Sequence, residues 1–586
     1  MIKTLGKEIK EYKKDAILTP CFMILEVIFD VLIPKYMGKL IDLSEGEEVD
    51  MGRILTYGAI MLLLAGGALW AGIMGGKYGA RASTGFARNL RRSMFRNIQT
   101  YSFANIDHFS TSSLVTRLTT DVTNLQNAFQ MILRMLTRAP ANLIISMTVA
   151  FTISPEVALV YLGAVVFLAL VAGLLVSRVT KYFSEAFPKY DRMNESVQEN
   201  ITGIRVVKGF VREEHEKKKF SRTSEMIYKL FVKAESIMAF VMPIMQSTVY
   251  FCILMVSWVG ARIIVNSGQT ELTTGNLTQL LTYCVQILIS LMMLSAVVVM
   301  ITLALPSARR IVEVLKEESA LSNPEEPDFD VPDGSIRFDD VDFRYNDTSE
   351  QPVLQDISLE IASGETIGII GGTGSSKTSL VNLISRLYDV SQGTVYVGGK
   401  DVRTYDMKTL RDQVAVVLQK NVLFSGTILE NLRWGNQNAT LEDCKEACRL
   451  ACADEFIESF PDKYDTMLEQ GGTNLSGGQK QRICIARALL KQPKVLILDD
   501  STSAVDTTTD AAIRRSFQEY IPETTKLIIA QRISSVMDAD RILVLEQGRV
   551  SGFGTHEELM KTNAIYRDVY ESQQGGSKDF DEGGVF

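Results

Sequence analysis

The clearest chemistry in the chain lies in Gly371-Gly372-Thr373-Gly374-Ser375-Ser376-Lys377-Thr378. A loop of small residues that runs into a helix aims successive backbone N–H groups at one point, and the helix N-terminus adds partial positive charge, so the two together cradle phosphate. In this pattern Lys377 reaches the β- and γ-phosphates of a nucleoside triphosphate, Thr378 holds Mg²⁺, and Ser379 follows within the same binding turn. Glycine is usual before the lysine; Ser376 stands there instead.

Further segments end in polar residues where a nucleotide needs them. Tyr345 lies just past an apolar run, Ile336 to Phe343, and could stack on an adenine ring; an ordinary strand-end tyrosine is the plainer alternative. Val414 to Gln419 ends in an amide that could touch Mg²⁺ or an attacking water, or be merely a polar strand end. Ser476-Gly477-Gly478-Gln479 precedes a helical stretch, Lys480 to Leu490, and presents N–H groups and a hydroxyl to a phosphate. Val495 to Asp500 is a buried strand ending in two carboxylates. Asp499 is placed to hold Mg²⁺ through water, and Asp500 takes the place of a general base. Leu527 to Gln531 is another strand with a polar end.

These residues need strands behind them. Glu365 to Ile370 reads as the strand entering the phosphate loop and Ser379 to Leu387 as the helix leaving it. The second half of the chain is therefore an α/β P-loop domain. The first half has another character, with apolar runs at Ile17–Leu40, Ile54–Met74, Pro140–Ile153, Val157–Val176, Met238–Val265 and Leu277–Leu305. A bilayer core takes about 20 apolar residues per helix. The third run is short, so its helix must begin before Pro140. The fold class is an α-helical six-span membrane domain with long cytoplasmic helical extensions, followed by the α/β cassette.

Lys and Arg crowd the N-terminus, the stretches Lys77–Arg138 and Arg178–Lys233, and the end of the last span. By the positive-inside rule both termini and the cassette face the cytoplasm of a multi-pass protein in the cytoplasmic (inner) membrane. Amphipathic segments at Ala80–Phe103 and Tyr182–Ile201 read as helices continuing the spans into water, with Gly203 ending the second. The domain boundaries are 1–316 for the membrane domain, 317–334 for a linker rich in Pro, Asp and Glu, 335–574 for the cassette, and 575–586 for a disordered tail. A net charge of −8 gives no global nucleic-acid signature. No cleavable signal peptide is expected. Cys444, Cys448 and Cys452 share a helix face and read as packed thiols, with a metal site the lesser alternative.

Glu26 and Asp30 lie within the first apolar run, four residues apart on one face. Intramembrane carboxylates are costly, so they either pair with a polar group on another helix or line a path for cationic substrates. Polar and aromatic residues of the last two runs, Gln246, Tyr250, Trp258, Tyr283 and Gln286, could line the same path.

Taken together, the motifs resemble those of a half-transporter of the ATP-binding cassette (ABC) exporter family. The resemblance spans about residues 1–575 and is most specific at Leu475-Ser476-Gly477-Gly478-Gln479. It implies ATP and Mg²⁺ as cofactors, with Tyr345 as the A-loop aromatic, Gly371 to Thr378 as Walker A, Gln419 as the Q-loop and Glu469 as the X-loop acid. It also makes Ser476 to Gln479 the signature, Asp499 the Walker B aspartate and Asp506 the D-loop aspartate. Segments within Asn105–Asp121 and Ile204–Glu213 resemble the two coupling helices.

The departures are specific. Asp500 stands where the family has its catalytic glutamate, Gln531 where it has its switch histidine, and Ser376 at the last Walker A glycine. Aspartate is one methylene short, and a misplacement of about 1 Å can cost about 10²-fold. The three histidines, His108, His215 and His556, lie far from Gln531 in sequence. ATP should bind here and be hydrolysed slowly or hardly at all. In this family each ATP lies between the Walker motifs of one subunit and the signature of the other. An intact signature beside impaired Walker motifs therefore resembles the degenerate-site subunit of heterodimeric bacterial multidrug exporters. The expected partners are a second half-transporter, the lipid bilayer and a small amphipathic substrate. A homodimeric exporter of low turnover and a lipid or peptide exporter are the alternatives; the expectation that no peptidase domain precedes the first span argues mildly against leader-peptide processing.

Overall fold

The computed structural model describes residues 1–45, 50–345, 351–372, 374–500 and 505–581, with side chains through 573 apart from six on the helix Pro155–Thr202. The chain divides into two compact units: Met1–Gln99 with Thr111–Glu317, and Thr100–Ser110 with Glu318–Phe586.

The first unit is helical. Among the described residues it has six helical segments long and apolar enough to cross a membrane: Lys10–Ser44, Met51–Gln99, Thr111–Ile153, Pro155–Val179, Glu213–Ser267 and Thr274–Lys316. The helix Met51–Gln99 is continuous over 49 residues. At 1.5 Å per residue it is about 70 Å long, more than twice the bilayer core, so it must project into water as its charged second half predicts. The third span includes the helix Val122–Ile153, which starts well before Pro140. Ser154 ends it and Pro155 opens the next helix, which runs to Thr202 and is capped by Gly203. The short helix Ile204–Gly209 follows, within the second coupling segment.

Small residues bring the first and last spans together. A Cβ on Gly38 would lie 2.7 Å from the Gly275 carbonyl oxygen, and one on Gly275 would lie 2.0 Å from that of Gly38, so only glycine permits the crossing. Asp42 secures the same point: its carboxylate accepts from Gly275 N–H at 2.8 Å and from the Thr273 hydroxyl at 2.9 Å. Glu26 and Asp30 meet on Arg138, whose Nη2 is 3.1 Å from Glu26 Oε1 and 3.1 Å from Asp30 Oδ2. The three charges line a groove of about 450 Å³ with Ile33, Ala68 and Gly72.

The second unit is an α/β domain with two main sheets. The first comprises β1 (Ile336–Phe343), β2 (Leu354–Ile361), β4 (Gln392–Val397) and β5 (Lys400–Asp401), in the order β2-β1-β4-β5. The second comprises β3 (Thr366–Gly371), β6 (Val414–Val417), β7 (Val495–Asp499), β8 (Thr525–Ile529), β9 (Arg541–Glu546) and β10 (Arg549–Gly554), in the order β10-β9-β3-β8-β7-β6. Strands β3, β6, β7, β8 and β9 run parallel, which sends their C-terminal ends to one edge. β7 and β8 are buried along their whole length, as continuous apolar runs in a covered parallel sheet should be.

Two boundaries differ from the sequence reading. The first extension ends at Gln99 rather than Phe103, because Ser102 and Asn105 form a capping box that starts a new helix, Phe103–His108. That helix, assigned by sequence to the 1–316 segment, packs with the cassette: Asn105 Nδ2 donates to the Glu318 carbonyl at 3.0 Å and Asn105 Oδ1 accepts from Ala320 N–H at 3.0 Å. At the other end the backbone is helical from Ala564 to Asp581, past residue 575 where composition favours a disordered tail.

Candidate functional site

The parallel sheet gathers the site. β3 delivers the phosphate loop, β7 delivers Asp499 and Asp500, and β8 stops two residues short of Gln531. β3 and β7 flank β8 in register, with Ile529 opposite both Ile369 and Asp499. Gln419 lies just beyond β6, which pairs with β7.

In the loop, Gly374 has φ +83°, and Gly372 and Gly374 have open space where a Cβ would stand. The backbone there is bare, as close approach to phosphate requires. Ser376 has φ +70° and ψ 25°, a left-handed conformation that glycine adopts freely and serine does not. This is the physical reason glycine is usual at that position. The helix Lys377–Ile384 follows at once. Lys377 Nζ donates to the Gly371 and Gly372 carbonyls at 2.8 and 3.0 Å, so its ammonium is held inside the loop. Thr373 lies outside the described residues.

The Thr378 hydroxyl donates to Asp499 Oδ2 at 2.9 Å. This juxtaposes two hard oxygen donors at the mouth of the loop, a set that fits Mg²⁺. Burial pushes the Asp499 carboxyl above its usual range, with the Thr378 bond acting against that shift. Burial also pushes the Lys377 ammonium below its usual range, opposed by Asp499 and Asp500.

Asp500 is 8% exposed and has φ +47°. Its Oδ2 accepts from Gln531 Nε2 at 2.7 Å, and Gln419 Nε2 stands 3.4 Å from the same oxygen. Thus Asp500, Gln419 and Gln531 do meet, but as two amides converging on one carboxylate oxygen.

Tyr345 stands beside the first turn of the loop helix. Its hydroxyl is 2.8 Å from that of Ser379, and the residue is 44% exposed, which leaves it accessible to a base. Ser476 caps the helix Gly477–Leu489, with Gln479 N–H donating to its hydroxyl at 3.3 Å and Ser476 N–H donating to Gln479 Oε1 at 2.9 Å. Ser476 and Gly477 are exposed, so this N-terminus is open to a ligand from outside the chain. Glu469 accepts from the Thr473 hydroxyl at 2.6 Å just before it. Asp506 caps the helix Thr507–Tyr520; Ser503 and Ala504 lie outside the described residues.

Sequence reasoning did not single out Tyr388, Asp107 or Arg138. Tyr388 donates to Asp107 at 2.6 Å and packs on Tyr345, whereas Arg138 pairs with Glu26 and Asp30. For Arg138 a signal existed: it sits two residues before Pro140 on the helix whose apolar run was too short.

A membrane region of long apolar helices and a P-loop cassette with a signature motif, on one chain, define an ATP-binding membrane transporter. The comparisons agree. Residues 16–300 match the model of the ABC transporter transmembrane region, and residues 354–503 match the model described as ABC transporter. An uncharacterized ABC transporter ATP-binding protein of Bacillus subtilis, YfiB, is 35% identical over 567 residues, covering 97% of this chain and 98% of its own length. A Mycobacterium tuberculosis relative described in the same terms, Rv1273c, is 33% identical over 580 residues, covering 98% of each. The chain belongs to the ABC transporter family. Its fold is similar to that of a bacterial Atm1-family ABC exporter solved with ATP bound, at a TM-score of 0.81 and 23% identity, over 96% of this chain and 98% of that one.

Proposed function

We propose that this chain is one subunit of a heterodimeric, ATP-driven exporter that moves hydrophobic or amphipathic, drug-like compounds out of the cytoplasm. Its own Walker motifs form a slow or non-hydrolysing ATP site. Its signature completes the competent site of a partner half-transporter.

The observation that carries this reading is the contrast between the two halves of the nucleotide machinery. The signature residues Ser476 to Gln479 are intact and open at a helix N-terminus. The hydrolytic corner instead holds Asp500 with its Oδ2 engaged by Gln531 at 2.7 Å. When bound, Mg²⁺–ATP supplies a polarised γ-phosphate as electrophile. Around it Lys377 and the loop N–H groups would bind phosphate oxygens, Thr378 and Asp499 would hold the metal with Gln419 beside them, and Tyr345 would stack on the base. Activation of water then needs a carboxylate that reaches it and a proton-bearing group near the γ-phosphate. Asp500 is one methylene short, and the amide of Gln531 carries no titratable proton. A bound triphosphate would consequently be retained.

A test follows on the complex purified from its native membrane. Ser476→Arg should abolish most ATP turnover, because it blocks the partner's site, whereas Asp500→Asn should leave turnover nearly unchanged. Equal losses from both substitutions would contradict the assignment of competence to the signature side.

A further inference from the structure

Strand β8 carries a charge where none is expected. Its residues Thr525 to Ile529 are all buried, and Lys526 among them is 3% exposed. Alternation along a strand puts Lys526 and Ile528 on one face, and both line a cavity of about 230 Å³ shared with the helix Thr507–Tyr520. Thr366, which opens β3 opposite Lys526, and Ser535 line it as well. The cavity lies toward the start of β8, whereas Ile529 at the other end is the residue opposite Asp499. No residue of the phosphate loop or the signature lines it.

The charges around this cavity do not balance. Arg514, Arg515 and Lys526 line it against one carboxylate, Asp538. Arg514 is already engaged: its Nε is 3.4 Å from Asp510 Oδ2 and its Nη1 is 3.5 Å from Asp538 Oδ2. The Ser535 hydroxyl donates to the same Asp510 oxygen at 3.1 Å. Among the described residues, the side chains of Lys526, Arg515 and Thr366 have no hydrogen bond or ion pair. Asp540 acts on Lys526 only through space, and its Oδ2 accepts from Thr366 N–H at 2.8 Å. A buried ammonium without a counter-charge in contact is costly, and folded proteins ordinarily pair it. Burial accordingly pulls Lys526 below the usual lysine range, with Asp540 opposing the shift.

We propose that this cavity is a binding site for a small phosphate-bearing molecule, with Lys526 and Arg515 supplying its counter-charge. The free groups are all able to donate: an ammonium, a guanidinium and the Thr366 hydroxyl. Such a set suits a group with several acceptor oxygens, and the planar fork of arginine matches phosphate in particular. Phe517 and Ile528 add an apolar wall for a short organic part. The volume falls below the roughly 300 Å³ at which pockets begin to take drug-sized ligands, so the cavity suits a phosphate with little attached to it. A phosphate there would touch the start of β8 and, at Ser535, the segment that follows Gln531.

The test reads Lys526 itself, in the full-length complex in lipid nanodiscs. Mg²⁺ and a non-hydrolysable ATP analogue at saturation keep the probe out of the phosphate loop. The complex is acetylated briefly with acetic anhydride, and modification of Lys526 is followed by peptide mass spectrometry with inorganic phosphate as the probe. A lowered pKa leaves more free amine, so Lys526 should react in the absence of phosphate. Phosphate should then protect it saturably, while potassium chloride at matched ionic strength does not and labelling of exposed Lys561 stays constant. Arg515→Gln, at an exposed position, should raise the protecting concentration about tenfold, the loss of one charge-assisted hydrogen bond. Lys526 that stays unlabelled without phosphate would overturn the proposal by showing the cavity closed. Protection that is absent, matched by chloride or unchanged by Arg515→Gln would overturn it too.

Discussion

The amide of Gln531 donates a 2.7 Å hydrogen bond to the carboxylate of Asp500, joining the ends of two strands that are far apart in sequence. In the proposed reading each residue stands where the family has a hydrolytic group, and here they engage one another. The two substitutions therefore act as a unit. Restoring one leaves the other in place, with an amide donor aimed at the carboxylate.

Asp500→Glu alone should raise ATP turnover by no more than about twofold, because Gln531 still lacks a titratable proton. Adding Gln531→His should give a larger rise than the two single changes combined, since residues in one hydrogen-bonded unit are not additive. Steady-state ATPase assays on the purified complex check this. A jump to two-site turnover with Asp500→Glu alone would show that Gln531 and Ser376 do not limit the site.

Ser376→Gly should strengthen nucleotide binding. Serine at φ +70° pays a left-handed backbone penalty of about 1 kcal/mol, which glycine removes. The expected gain is up to about fivefold in ATP affinity, measured by equilibrium displacement, because 1 kcal/mol is about a factor of five. Unchanged or weaker binding would mean that the serine hydroxyl compensates for the strain.

The pH profile of Mg²⁺–ATP binding should fall on both sides. Asp499 would hold metal only when ionised, and burial raises its pKa, so affinity should drop as pH falls through a range above that of ordinary carboxylates. Lys377 attracts phosphate only when protonated, and burial lowers its pKa, so affinity also drops as pH rises towards a range below that of ordinary lysines. Asp499→Asn should flatten the acid limb and leave the alkaline one.

Much of this was legible in the sequence, and the misses have common causes. β1 is legible to the residue, Ile336 to Phe343, because its alternation and the turn residues that bound it are local. The phosphate loop and signature were legible because their chemistry is written in consecutive residues. The helix start at Phe103 was not, because its capping box uses Asn105 in place of the usual Glu or Gln. The Asp500–Gln531, Asp107–Tyr388 and Arg138 contacts join residues far apart in the chain. No periodicity carries such pairings; only the packed sheet and helices do.

The groove charges give a transport prediction. Arg138 engages both Glu26 and Asp30, so each pair is partly neutralised and either substitution shifts the local balance towards positive. Glu26→Gln with Asp30→Asn should slow efflux of a cationic dye about fivefold or more, equivalent to about 1 kcal/mol of lost attraction, with a neutral dye unaffected. Equal effects on both dyes would assign the carboxylates to holding Arg138 in the bundle.

The most direct test of the central claim is gentle affinity purification of this chain from its native membrane, followed by intact-mass analysis of the complex. A second, different half-transporter at equal stoichiometry is the predicted result, and it would place the competent site at Ser476 to Gln479 of this chain. A complex containing only copies of this chain would contradict the claim, for Asp500 and Gln531 would then have to support whatever hydrolysis drives transport.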